Sequence, residues 1–85
     1  MTEYRFSMTV RNDGKIGYFS PQAKEAIVLD REQEKWVFVE MCKNHPEIMP
    51  NEILQGLGMA FGTMSKTAWE KLVSLSRKVG GEIIV

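Results

Sequence analysis

At 85 residues the chain has room for one domain with a single modest core, and little space beside it for an enclosed active site. Its 44% hydrophobic and 26% charged content is that of an ordinary globular protein rather than a disordered or membrane-embedded one. Eleven basic residues balance eleven acidic ones, but residues 1–24 carry +2, residues 25–65 carry −4 and residues 66–85 return to +2, which permits a local anionic contact and argues against broad attraction to nucleic acid or membrane.

No apolar run approaches the ~20 residues that span a bilayer, and Met1-Thr2-Glu3-Tyr4 is not the basic-then-apolar start of a signal peptide. Cys42 is the only cysteine, so no intrachain disulfide can form. A reducing compartment and a cytoplasmic location are expected.

Tyr4, Phe6, Met8 and Val10 alternate with Arg5, Ser7, Thr9 and Arg11 before Asn12-Asp13-Gly14. Period-two alternation ending in a turn signal predicts a half-buried β-hairpin. A type I turn closed by Gly14 in the left-handed region pairs Arg11 with Lys15, sets Met8 opposite Tyr18 and Val10 opposite Ile16, and brings Tyr4, Phe6, Met8, Val10, Ile16 and Tyr18 to one face. A two-residue Asp-Gly turn would instead send Ile16 and Tyr18 to the other side.

Ser20-Pro21 is a good helix start, with Ser20 as cap and Pro21 at the first helical position. Residues 22–29 stay ambiguous, because Ala26-Ile27-Val28-Leu29 suits a buried strand equally well. Asp30 caps a helix, with Gln33 in the capping-box position and Glu32 and Glu34 near the positive end of the dipole. Phe38, Met41, Cys42 and His45 form a helical stripe, and Pro46 ends it despite the strand-forming Trp36-Val37-Phe38-Val39. A further helix is expected from Pro50 or Asn51, with Ile53, Leu54, Leu57 and Phe61 facing inward. The last helix has Ser65 as cap, Met64 and Trp69 as a hydrophobic staple, Ala68, Leu72, Leu75 and Val79 as its apolar stripe, and Gly80 as its left-handed exit. Glu82-Ile83-Ile84-Val85 reads as a terminal strand pairing with the hairpin. The expected architecture is α+β, a single domain over residues 1–85: an N-terminal antiparallel β-hairpin plus a short C-terminal strand, packed by about three helices.

Few constellations carry chemistry. Gly56, Gly58 and Gly62 lack the preceding strand and βαβ context of a phosphate loop, so close helix packing and a helix stop at Gly62 are expected. Cys42 and His45 have no further cysteine or histidine to complete a metal site, and no signposted oxyanion hole. Glu32 and Glu34 project to different sides of a helix. No metal, no cofactor and no catalytic activity are therefore expected.

Two surfaces remain. Residues 51–79, a helix, a turn at Thr63-Met64-Ser65 beside Gly62 and a second helix opening with Lys66 and Thr67, resemble the helix-turn-helix of DNA-binding proteins over about twenty residues. That resemblance implies nucleic-acid contacts from Lys66, Thr67, Lys71, Arg77 and Lys78. The other surface is the outward face of the hairpin, where Arg5, Ser7, Thr9, Arg11 and Lys15 form a cationic, hydroxyl-bearing strip beside Phe19. The preferred expectation is a small non-catalytic binding module for a protein partner, using Arg5, Thr9, Arg11, Lys15, Phe19 and Met59. A small DNA-binding regulator built on residues 51–79 is the alternative. Six methionines and eight aromatics in so short a chain also point to a homodimer, through helix faces or hairpin edges.

Overall fold

The computed structural model describes residues 3–44 and 61–85. Strands β1 (Glu3–Val10), β2 (Ile16–Ser20) and β3 (Glu25–Leu29) lead into helix α1 (Arg31–Asn44); β4 (Phe61–Ser65), α2 (Lys66–Lys78) and β5 (Glu82–Ile84) complete the described chain. The strands form one antiparallel sheet in the order β4-β1-β2-β3-β5. Both helices pack on one face of it, where Phe6, Ile16, Tyr18, Ile27, Leu29 and Met64 meet Val37, Phe38, Met41, Ala68, Trp69 and Leu72 in a single core.

The hairpin adopts the register that the type I turn dictates. Met8 lies opposite Tyr18 and Val10 opposite Ile16. The Arg11 amide donates to the Lys15 carbonyl at 2.8 Å, and Gly14 sits at φ +85°. Val10, at the open end of the apolar row, remains 59% exposed.

The helix termini follow local chemistry. Asp30 and Gln33 close a reciprocal capping box at 3.0 and 2.8 Å, and Ser65 Oγ accepts the Ala68 amide at 3.1 Å. At the other end of α2, Gly80 takes φ +86° while the Gly81 amide donates to the Ser76 carbonyl at 2.7 Å and the Gly80 amide to that of Arg77 at 3.1 Å, a Schellman closure.

The structure resolves one open segment and departs from several expectations. The ambiguous residues 22–29 become a single turn followed by β3. Ser20 Oγ does accept the Ala23 amide at 3.3 Å, but Lys24 enters the left-handed region at φ 56° and the helical path stops there. The turn expected at residues 63–65 is strand β4, paired with β1 so that Tyr4 faces Met64 and Phe6 faces Gly62. Gly62 is therefore no helix stop: a β-carbon there would sit 3.0 Å from the Phe6 ring, so its bare backbone accommodates that ring. β5 pairs with β3 rather than with the hairpin, and the sheet has five strands instead of three. Two helices stand among the described residues where about three were expected. The helix expected over residues 51–60 lies outside the described residues, and Phe61, assigned to its inward face, begins β4.

Among the described glycines Gly81 is the most closely approached, since a β-carbon on it would lie 2.5 Å from Leu29 Cδ2 and 2.8 Å from the Ser76 carbonyl oxygen. Gly81→Ala is expected to destabilise the protein by about 2 kcal/mol, whereas Lys24→Gly, which removes a β-carbon from a left-handed residue, is expected to stabilise it by about 1 kcal/mol. Urea denaturation midpoints of the two variants should move in opposite directions.

Candidate functional site

Strand alternation decides what the second face of the sheet presents. With Phe6, Tyr18 and Ile27 pointing into the core, the outward set is Arg5, Ser7 and Thr9 on β1, Gly17 and Phe19 on β2, Ala26 and Val28 on β3, and Glu82 and Ile84 on β5. Neither described helix covers this face. Val28 is buried on it, but Phe19 keeps 47% and Ile84 46% of its surface in solvent.

Register aligns the centre of the face into a row. Ser7, Phe19, Ala26 and Ile84 are successive partners across β1, β2, β3 and β5. Phe19 and Ile84, two strands apart, stand about 10 Å from one another with the short Ala26 side chain between them, which leaves an apolar notch. Arg5, exposed, flanks Ser7 on the same side of β1 and faces the exposed Thr63 of β4. The arrangement offers an apolar seat, a guanidinium able to take a carboxylate in bidentate fashion, and the hydroxyls of Thr9 and Thr63.

Of the residues expected on this strip, Arg5, Ser7, Thr9 and Phe19 come together. Arg11 lies at the hairpin end, paired with Asp13 at 3.3 Å, and Lys15 follows the same turn with its amide on Asp13 Oδ1 at 3.0 Å. Met59 lies outside the described residues. Ala26 and Ile84 were missed by the sequence reading, because their place on this face follows only once β3 and β5 are known to be neighbours. The available signal was Ala26-Ile27-Val28-Leu29 itself, an uninterrupted apolar run of the kind that buries both faces of a strand.

On the second candidate surface, Lys66, Thr67, Lys71, Arg77 and Lys78 are all exposed on α2, opposite the face formed by Ala68, Trp69, Leu72 and Ser76. α2 enters directly from strand β4, so residues 61–65 supply no turn of the helix-turn-helix kind. Cys42 belongs to α1, and His45, Gly56 and Gly58 lie outside the described residues. Among the described residues no three of His, Cys, Asp and Glu are grouped to hold a metal ion, and no helix is long and apolar enough to cross a membrane.

Two carboxylates that the sequence assigned no partner hold core aromatics. Glu25 accepts the Trp69 indole N–H at 3.2 Å, and Glu34 accepts the Tyr18 hydroxyl. Burial, and then the neighbouring Glu34 carboxylate, push the Tyr18 phenol far above its ordinary range. Comparison of the chain with protein families, curated proteins and solved structures gives no match.

Because the Tyr18 pKa is higher in the folded than in the unfolded protein, the stability it contributes is complete below pH about 10 and is lost as the pH rises beyond that value. Stability measured by urea denaturation should fall along an alkaline limb. Tyr18→Phe is expected to lower stability by about 1 kcal/mol at neutral pH and to flatten that limb; an unchanged alkaline slope would show that another group titrates there.

Proposed function

We propose that this protein is a non-catalytic binding module that holds another protein on the outer face of its sheet. The observation that carries this reading is the row Ser7, Phe19, Ala26 and Ile84, an exposed aromatic and an exposed aliphatic residue separated by alanine and flanked by Arg5 and Thr9. An exposed aromatic on a sheet face loses apolar hydration when a partner covers it, and aromatic anchors of this kind carry much of the energy of protein interfaces. The matching partner surface has one apolar side chain for the notch and one carboxylate for Arg5. The balance of eleven basic and eleven acidic residues favours such a local contact over a long-range electrostatic one.

Removing the aromatic anchor tests the reading without disturbing the core. Tagged protein is used to recover its partner from the native host, and the recovered protein is then titrated in pure form. Phe19→Ser is expected to weaken binding about thirtyfold, Ala26→Trp to block the notch, and Lys66→Glu with Lys71→Glu to leave affinity unchanged. Retention of duplex DNA at low salt, lost in the Lys66→Glu, Lys71→Glu variant and kept in Phe19→Ser, would replace this reading with a DNA-binding one.

A further inference from the structure

Helix α1 is apolar on two sides. Val37, Phe38 and Met41 are buried in the core, while Trp36 and Val39, on the opposite side, are 38% and 53% exposed. A helix that needed only one packed face would carry polar residues at those outward positions.

The neighbours of Trp36 and Val39 indicate what covers them. Glu32, Trp36, Val39 and Lys43 follow one another at spacings of four, three and four residues, which at 100° per residue places all four within about 60° of arc. All four are exposed. The outward stripe therefore has an acid at its N-terminal end, two apolar residues at its centre and a base at its C-terminal end.

Such a stripe complements itself in one orientation only. An antiparallel copy related by a two-fold axis midway between Trp36 and Val39 sets Trp36 against Val39 of the second copy and Glu32 against Lys43 of the second copy, twice over. The helix dipoles then also run in opposite senses. A parallel copy would stack Glu32 on Glu32 and Lys43 on Lys43. We propose that the outward face of α1, Glu32, Trp36, Val39 and Lys43, is the seam of an antiparallel homodimer of this chain.

The seam lies on the helical side of the sheet, so the dimer leaves the outer sheet face open and would present it twice. A contact built on two apolar pairs and two ion pairs is small beside a standard interface, which makes the association reversible and weak.

Charge reversal tests both the seam and its direction. Sedimentation equilibrium of the whole chain from micromolar to millimolar concentration is expected to show a monomer–dimer equilibrium that weakens with salt. Glu32→Lys alone and Lys43→Glu alone should each raise the dimer dissociation constant about tenfold, and Val39→Glu should abolish association, with circular dichroism unchanged in all three. An equimolar mixture of the Glu32→Lys and Lys43→Glu proteins should dimerise again, because both ends of the mixed pair then carry opposite charges. A wild-type chain that stays monomeric at millimolar concentration overturns the proposal. So do single variants that associate as tightly as wild type, which would place any dimer elsewhere, and a mixture that fails to recover, which would exclude the antiparallel seam.

Discussion

The contact on which the rest of the structure depends is that between Tyr18 and α1. Tyr18 sits on β2, the central strand, with Met8 and Ile27 as its neighbours in register and the rings of Phe6 and Phe38 at 6.4 and 6.0 Å. A phenol buried this deeply loses its water and must find an acceptor in the protein. Glu34 supplies it, one turn before Phe38 on the same helix. That bond selects the side of α1 that turns inward, with Glu34, Val37, Phe38 and Met41 at helical spacing, and by elimination the side that turns out.

Amide side chains then finish what the backbone leaves open. Gln22 Oε1 accepts the Arg5 amide at 3.0 Å, where β2 has already ended and β1 lacks a strand partner on that side. Gln33 closes the α1 cap through Oε1 and donates through Nε2 to the Val79 carbonyl at 3.1 Å, fastening the start of α1 to the end of α2. Among the described residues no buried polar side-chain atom lacks a partner. In so small a core this completeness matters, since each unsatisfied group would cost about 1–3 kcal/mol.

What was legible in the sequence is what short-range physics decides. The hairpin and its register follow from Gly14 and the alternation around it, the start of α1 from Asp30 and Gln33, and the limits of α2 from Ser65 and Gly80. Each is a contest among residues within a few positions of one another. The strand at Phe61–Ser65 was not legible, because it exists through pairing with Glu3–Ser7 and its one local oddity, Gly62, gains meaning only beside Phe6. The candidate site was half legible for the same reason: Arg5, Thr9 and Phe19 sit on the hairpin, whereas Ala26 and Ile84 join them through a pairing between chain segments far apart in sequence. In sequence Glu34 is explained by the helix dipole alone, and nothing near it signals a tyrosine sixteen residues away.

The order of strands in the sheet also governs how the chain reaches it. β1, β2 and β3 are consecutive and joined by short turns, so this three-stranded meander closes through local contacts. Both edges are different: β4 brings residue 65 to residue 3, and β5 brings residue 84 to residue 26. The single helix α2 joins these two outermost strands across the breadth of the sheet. Loop-closure entropy delays such distant pairings, so the meander is the natural nucleus and the two edges are late arrivals coupled to each other through α2. Until they arrive, β1 and β3 both stand open along their backbones, and the chain passes through its most aggregation-exposed moment just before its sheet is complete.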